Sequence, residues 1–246
     1  MIVADRGDRI RFVTSRDLQS YGDAKVVSTR ELNGDLFEMT LDHLPDGGVQ
    51  TDSGIYNLTW QPNLVMRGCT VRNNRARSML IATAGEVLVE KNTFTHSSMA
   101  GIQFEGDNGF WWESGPARSV VIRSNLFTDV YGAVLRVVPT IDAKQFPNAL
   151  YHGGIIFENN TIQSFHRAVV EAVAVDGLMI RGNTITPTTT FGNADVTTPS
   201  YIFTSGRNIV MENNTYTGQP PLLVKAATPS AQPVLRNNTG IIATGK

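Results

Sequence analysis

From residue 64 onward, short apolar runs recur along the chain, and each run ends in a polar corner. Seven segments share one pattern: LVMRGCTV, VLVEKNTF, VVIRSNLF, IIFENNTI, LMIRGNTI, IVMENNTY and PVLRNNTG. Their sixth positions are one cysteine and six asparagines, namely Cys69, Asn92, Asn125, Asn160, Asn183, Asn214 and Asn238. The spacings of 23, 33, 35, 23, 31 and 24 residues indicate a unit of about 23 residues that is lengthened by insertions.

Each unit contains a second apolar run, and both runs alternate between apolar and polar residues, which is typical of β-strands. Short strands repeated at this spacing predict an all-β fold, a right-handed parallel β-helix whose coils stack about 4.8 Å apart. Alternation also predicts which side chains point inward. They are Val87, Val89, Phe94, Val120, Ile122, Phe127, Ile155, Phe157 and Ile162.

The repeated asparagine has a physical explanation. An amide side chain has both donors and acceptors, so identical amides one coil apart can bond to each other and to the bent backbone. We therefore predict an asparagine ladder, which explains the NNT triplets better than glycosylation does. Cys69 occupies the same position in the first unit, where we interpret it as a small buried filler; a reactive thiol is the alternative.

Residues 5–58 do not follow the repeat. The segments RIRFV, AKVVSTREL and LFEMTL are typical of strands, and Gly, Asp, Asn and Pro mark the turns between them. We expect a small antiparallel β-barrel or sheet here. The predicted domains are therefore 1–58, barrel-like, and 59–246, the parallel β-helix.

Two insertions fall between the second run of one unit and the first run of the next. They cover 106–118 and 139–153 in adjacent coils, so we expect them to form a common rim. Long loops on a rigid scaffold often carry function. A third, threonine-rich insertion at 186–199 lies at a different corner, and we interpret it as a solvated loop.

The first insertion contains the segment GDNGFWWESG at 106–115. Aromatic faces stack on the apolar faces of sugars and carboxylates bond to hydroxyls, so Asp107, Trp111, Trp112 and Glu113 are candidates for a sugar site. The alternative is that the tryptophans cover the edge of a coil. Two basic residues of an earlier coil, Arg75 and Arg77, are further candidates if they reach the rim, and otherwise are solvated or ion-paired.

The composition limits the classes of binding partner and cofactor. The 246 residues carry a net charge of −1, so neither nucleic acid nor a charged membrane surface is indicated. No run approaches the roughly 18 apolar residues of a membrane span. The first residues, MIVADRGDRIRF, have no signal-peptide pattern. One cysteine and four scattered histidines, His152 among them, give no metal-binding spacing, so we predict no metal or cofactor.

One long stretch carries a family resemblance. Residues 71–127 read VRNNRARSMLIATAGEVLVEKNTFTHSSMAGIQFEGDNGFWWESGPARSVVIRSNLF. This resembles glycoside hydrolase family 110, the exo-acting α-1,3-galactosidases, closely over about 59–130 and loosely over the later coils. Residues 7–57 resemble a β-barrel that interrupts the helix in that family.

The resemblance implies inverting hydrolysis of terminal α-1,3-linked galactose, without a metal, on a galactose-terminated glycan. It places the catalytic carboxylates upstream of the barrel, in a paired-aspartate motif, and no Asp-Asp dipeptide occurs in this sequence. The matched residues, Asp107, Trp111, Trp112, Glu113, Arg75 and Arg77, carry over as substrate-side or structural positions. We therefore predict a carbohydrate-active β-helix without its catalytic coils; the alternative is a carbohydrate-binding or structural β-helix without catalysis.

Overall fold

In the computed structural model of the protein, residues 4–111, 115–165, 168–191, 198–227 and 230–244 are described. Within these ranges all regular secondary structure is β-strand. The strands form one antiparallel sheet near the start of the chain, followed by three parallel sheets.

The antiparallel sheet has four strands in the order β3-β2-β1-β4. Their bounds are β1 Arg9–Thr14, β2 Ser20–Asn33, β3 Leu36–Leu41 and β4 Ser53–Asn57. A small core of its own lies beneath the sheet, formed by Ile10, Phe12, Ala24 and Val26 with Ala4. The segment predicted as an antiparallel barrel or sheet is therefore a sheet.

Three parallel sheets form the sides of a β-helix. The first contains β5 Leu64–Arg67, β8 Glu86–Glu90, β11 Ser119–Arg123, β14 His152–Glu158, β17 Val175–Arg181, β20 Arg207–Glu212 and β23 Val234–Arg236. The second contains β6 Thr70–Arg72, β9 Thr93–Thr95, β12 Leu126–Thr128, β15 Thr161–Ser164, β18 Thr184–Pro187 and β21 Thr215–Tyr216. The third contains β7 Met79–Ile81, β10 Ile102–Phe104, β13 Leu135–Val137, β16 Val170–Val173, β19 Tyr201–Thr204, β22 Leu222–Ala227 and β24 Ile241–Ala243.

Each coil contributes one strand to each sheet in chain order, and neighbouring coils pair in parallel. Val87 pairs with Val120, which pairs with Ile155, so equivalent residues of successive repeats stack directly. The predicted parallel β-helix is confirmed. One refinement is that the first apolar run of each repeat is two strands, because the backbone turns at the asparagine.

All nine side chains predicted to point inward are buried to 3% exposure or less. Among them, the rings of Phe94 and Phe127 stack with centroids 5.0 Å apart, and Phe157 follows at 6.0 Å from Phe127. The core is thus a set of columns that run along the helix axis, in which each residue packs on its equivalent in the next coil.

The asparagine ladder is present as predicted. The Asn125 side-chain nitrogen donates to Oδ1 of Asn160 at 3.0 Å, and Oδ1 of Asn125 accepts from Asn92. The same nitrogen donates to the carbonyl of Val89 in the preceding coil, and the backbone N–H of Asn92 donates to Oδ1 of Asn125. This pattern repeats up to Asn238, so each amide satisfies the backbone groups freed by the corner.

The interpretation of Cys69 as a buried filler is wrong, because Cys69 is exposed. It lies in the ladder column, and its backbone N–H donates to Oδ1 of Asn92 at 2.9 Å. Its strands β5 and β6 are the edges of their sheets, so the corner has a coil on one side only. Inward-facing Leu64 and Met66 of this coil are correspondingly only half-buried.

A second column, of alternating charge, runs beside the ladder at the ends of the first-sheet strands. Its members pair in register in the order Arg67, Glu90, Arg123, Glu158, Arg181, Glu212 and Arg236. Glu90 contacts Arg67 at 2.5 Å and Arg123 at 2.7 Å. Hydrogen bonds from Arg123 and Arg67 lower the pKa of Glu90 despite its burial. Opposite charges on adjacent strands favour this register and oppose a slip by one coil.

The antiparallel sheet rests against the helix through the second insertion. Leu18, in the turn between β1 and β2, is buried with Ile141, Ala149 and Tyr151 of that insertion. A side chain at Gly54 of β4 would collide with Asn108, which shows that the sheet also lies directly against the first insertion. The two parts of the chain are therefore packed together at the corner that carries the loops.

The ladder can be tested at its most completely bonded member. We expect Asn125→Ala to lower the free energy of unfolding by about 2–4 kcal/mol, since it leaves buried backbone groups without partners. Urea unfolding followed by circular dichroism measures the loss. Asn148→Ala, at an exposed loop asparagine, is the control and should cost under about 0.5 kcal/mol. Equal effects of the two changes would contradict the structural importance of the ladder.

The exposed end of the ladder gives a second prediction. In Cys69→Asn, the new amide nitrogen can donate to Oδ1 of Asn92, as every later ladder member does to its neighbour. We expect a gain in unfolding free energy between zero and about 1 kcal/mol, because the site is exposed. A loss of more than about 2 kcal/mol in urea unfolding would show that the thiol fills a tight apolar site.

Candidate functional site

The first and second insertions leave the helix at the same corner, between the third sheet and the first. The first insertion connects β10 to β11, and the second connects β13 to β14, one coil further on. The third connects β18 to β19, at another corner, and its residues 192–197 lie outside the described part of the chain. The predicted placement of all three insertions is confirmed.

Direct hydrogen bonds join the first two insertions into the predicted rim. Thr140 donates from both its backbone N–H and its hydroxyl to the carbonyl of Gly106, each at 2.7 Å. On the other side of the loop, the backbone N–H of Gly115 donates to the hydroxyl of Tyr151 at 3.0 Å. The two loops therefore position each other, and we name 106–118 and 139–151 together the rim.

Gly106 is required for this contact. A β-carbon at this residue would lie 2.3 Å from the Tyr151 ring, closer than any real packing distance. The absence of a side chain lets the tyrosine cross the base of the first loop and reach Gly115. The glycine at the start of the GDNG segment is thus explained by close approach of an aromatic ring.

Asp107 holds the first loop from inside. It is buried, and its carboxylate accepts hydrogen bonds from the backbone N–H groups of Gly109, Phe110 and Trp111 at 2.5–3.2 Å. The hydroxyl of Thr140 lies 3.4 Å from one oxygen. Burial acts to raise the pKa of Asp107, but these hydrogen bonds outweigh it and lower the pKa. The carboxylate is therefore ionised and engaged by its own loop.

The aromatic residues of the loop that the structure describes are presented to solvent. Trp111 is 66% exposed and Phe110 is 73% exposed, and the two rings meet edge to face with centroids 4.8 Å apart. Trp111 does not cover a coil edge, so the covering interpretation is wrong for this residue. Trp112 and Glu113 lie outside the described residues.

The two candidate arginines differ in their burial and in their contacts. Arg77 is half-buried and lies 3.6 Å from the carboxylate of Glu105, immediately before the first loop. Gln103 donates to the same carboxylate at 2.6 Å. Arg77 therefore reaches the base of the rim, as an ion-paired residue. Arg75 is exposed on the turn before β7.

His152 is fully buried behind the rim, at the start of β14. Its Nδ1 accepts a hydrogen bond from the backbone N–H of Ala117 at 3.1 Å, which ties the end of the first loop to the second. Burial, with a smaller contribution from the charge of Arg118, lowers the pKa of His152 to about 3. The imidazole is therefore neutral and structural at physiological pH.

Within the described ranges, no group of three or more His, Cys, Asp or Glu side chains is arranged to hold a metal ion. The same ranges contain no helix long and apolar enough to cross a membrane. In its described residues, the candidate site is thus a rim of two hydrogen-bonded loops with the exposed aromatic side chains of Phe110 and Trp111.

The fold and the stacked corners define the class of protein. A family model described as "Right handed beta helix region" matches residues 53–244, and this chain belongs to that family. The match also gives the handedness that was predicted from the repeat.

Several individual proteins are similar to this chain in sequence. Alpha-1,3-galactosidase B of Phocaeicola vulgatus is 34% identical over 199 residues, which cover 73% of this chain and 34% of the relative. Alpha-1,3-galactosidase B of Akkermansia muciniphila is 32% identical over 186 residues, 73% of this chain and 23% of the relative. Alpha-1,3-galactosidase A of Bacteroides fragilis is 28% identical over 226 residues, 88% of this chain and 37% of the relative.

These relatives confirm the resemblance to glycoside hydrolase family 110. The chain spans about a third of the length of the first two relatives it matches. The activity in the names of these relatives is a property of those proteins.

Sequence reasoning missed the residues that join the two loops, namely Thr140, Tyr151 and His152. Their contacts depend on how each loop folds back on itself, which no periodic pattern describes. The one available signal was their position, because all three lie in or beside an insertion next to the first loop.

Neutral His152 makes stability depend on pH. Its pKa falls from about 6.5 when unfolded to about 3 when folded, so the unfolded chain gains a proton that the folded chain does not take up. The contribution is fully present above pH 6.5 and is lost as pH falls toward 3. Between pH 7 and pH 5 we expect a loss of roughly 2 kcal/mol from this residue.

The measurement is urea unfolding at pH 7 and pH 5 for the wild type and for His152→Asn, whose amide oxygen can still accept from Ala117. The variant should lose less stability between these pH values than the wild type. The other histidines and the carboxylates are common to both proteins and cancel in the comparison. Identical pH dependence of the two proteins would mean that folding does not lower the pKa of His152.

Proposed function

We propose that this chain is the glycan-holding part of an exo-acting α-1,3-galactosidase, and that its rim contacts a terminal α-1,3-linked galactose. The similarity to proteins named Alpha-1,3-galactosidase over about three quarters of the chain carries this proposal. It is supported by the position of the rim, because two insertions of adjacent coils lie together at one corner of a rigid scaffold.

The proposed contacts come from the first loop. Trp111 presents an exposed ring on which the apolar face of a sugar can stack. Asp107 acts indirectly, since its carboxylate is engaged by three backbone amides and holds the loop that presents Trp111. Trp112, Glu113 and Arg75 complete the proposed set as substrate-side residues. Arg77 supports the loop base through Glu105.

Hydrolysis requires more than this surface. Inversion at a sugar carbon needs two carboxyl groups about 6.5–9.5 Å apart, one protonated and one ionised. Of the described carboxylates in or beside the rim, Asp107 is ionised and bonded within its loop, and Glu105 is bonded to Arg77 and Gln103. The carboxylate of Asp142 accepts hydrogen bonds from the backbone N–H groups of Lys144 and Gln145 in its own loop. The paired aspartates implied by the family resemblance are absent from the sequence. We therefore propose that the catalytic pair is not supplied by this chain.

The expected result is binding without turnover. With α-1,3-galactobiose, the purified chain should bind the disaccharide and release galactose no faster than a buffer blank, because no carboxyl pair is available to donate and accept protons. Galactose release is measured with a coupled dehydrogenase assay, and binding by ligand-observed NMR. Trp111→Ala should weaken binding about tenfold, whereas Trp60→Ala, at an exposed tryptophan outside the rim, should not change it.

Two outcomes would contradict the proposal in different ways. Robust turnover that disappears in Asp107→Asn or Glu113→Gln would place the catalytic pair in the first loop. Absence of both turnover and binding would favour the remaining alternative, a structural β-helix without a glycan ligand.

A further inference from the structure

A polar cleft lies where the ends of the two rim loops meet the first parallel sheet, and Trp111 is not among its lining residues. It has a volume of about 410 Å³ and lies where β11, β14, β17 and β20 begin. The second insertion and the turn after β1 form its other walls. Its polar lining residues are Arg118, Asp176, Arg207, Gln19, Asn148 and the buried His152.

On the floor of this cleft, three successive strands have an irregular backbone conformation at the same position. Gly154, Gly177 and Asn208 occupy equivalent positions in three successive coils, and their φ angles are +60°, +83° and +54°. No side chain fits at Gly154, where a β-carbon would lie 2.0 Å from the carbonyl oxygen of Arg118. Two of the three positions therefore leave the surface free of side chains, which makes the concavity a fixed feature of the backbone.

An apolar groove continues from the cleft along the sheet. Gly154 lines both, and the groove of about 230 Å³ is floored by Ile156, Met179 and Val210. The combined surface thus has a charged end and an aliphatic side. This arrangement fits a ligand with one charged group and one apolar face.

Hydrogen bonds hold the charged side chains of the cleft in place, and their charges do not sum to zero. Arg207 donates to Asp176 at 2.8 Å, and Asn208 donates to the second oxygen of the same carboxylate at 2.7 Å. The hydrogen bond from Arg207 lowers the pKa of Asp176, so this carboxylate stays ionised. Arg118 is anchored by donating to the carbonyls of Ala117 and Tyr151. Two guanidinium groups and one carboxylate leave a net charge of +1 in the cleft.

We propose that this cleft is a second binding site, for an acidic saccharide. The acidic group, a carboxylate or a sulfate ester, binds between Arg118 and Arg207, whose remaining N–H groups are available for paired hydrogen bonds. Asn148 and Gln19 bond to ring hydroxyls, and an apolar ring face lies over Ile156. The inference goes beyond the proposed function, since it concerns a different face of the rim loops from that of Trp111, a different class of ligand and no hydrolysis.

Several features favour a saccharide over other anions. Neither cavity is lined by a described Phe, Tyr or Trp side chain on which a nucleobase would stack. Amide side chains and small aliphatic patches match the hydroxyl-rich and apolar faces of a pyranose. The single excess positive charge matches one carboxylate or one sulfate.

The test compares three probes on the full chain: methyl glucuronide, glucose 6-sulfate and neutral methyl glucoside, none of which carries the galactose proposed to bind at the rim. Binding is measured by isothermal titration and by protein-observed NMR at low ionic strength. We expect at least one acidic probe to bind about tenfold more tightly than the neutral one, because charge-assisted hydrogen bonds are involved. The two acidic probes distinguish a carboxylate ligand from a sulfate ester.

Two variants are expected to change the affinity for the acidic probe in opposite directions. Arg207→Gln should weaken binding of the acidic probe about tenfold, whereas Asp176→Asn should tighten it, since a repelling carboxylate is removed. Arg72→Gln, at an exposed arginine on β6 away from the cleft, is the matched control and should leave affinity unchanged. Melting temperatures verify that each variant is folded.

The inference is overturned if none of the probes binds, if the neutral probe binds as tightly as the acidic ones, or if the folded Arg207→Gln protein keeps full affinity. Weaker binding in Asp176→Asn would also contradict it. Failure of the galactoside experiment at the rim leaves these outcomes unchanged, so the two proposals fail separately.

Discussion

The structure depends on the polar corner that follows the first strand of every coil. There the backbone turns, and its N–H and carbonyl groups would be buried without partners if no side chain bonded to them. Stacked asparagines satisfy these groups and one another, as the bonds between Asn92, Asn125 and Asn160 show. Because each amide bonds to the amide of the next coil, the ladder favours in-register stacking of the coils. The packing columns and the position of each insertion follow from that register.

Much of the fold was predictable because these constraints repeat in the sequence. The period of two identified inward residues such as Phe94, and the shared sixth position identified the ladder. The alternating charges were equally visible, at the fourth position of the repeats, but were overlooked because isolated surface charges usually carry little structural information. Cys69 was predicted to be buried since its repeat looks like the others. Its exposure depends on the edge position of β5 and β6, which a local pattern does not reveal.

The location of the rim was predictable from the sequence, whereas the hydrogen bonds within it were not. The insertion lengths located the rim correctly, because equivalent corners of adjacent coils must lie together. Asp107 was expected as a substrate-side or structural position, and the structure shows its carboxylate bonded to the amides of its own loop. Such loop bonds depend on local backbone angles that the sequence does not encode periodically. The same holds for the buried contacts of Tyr151 and His152 that join the loops.

We propose that the ladder holds the two insertion loops as a rim that binds a terminal galactoside. The decisive experiment is a crystal structure of the chain with α-1,3-galactobiose. We expect the terminal galactose to lie against 106–118 and 139–151, with its apolar face over an aromatic ring of the first loop. A disaccharide bound elsewhere on the helix, with the rim unoccupied, would contradict it.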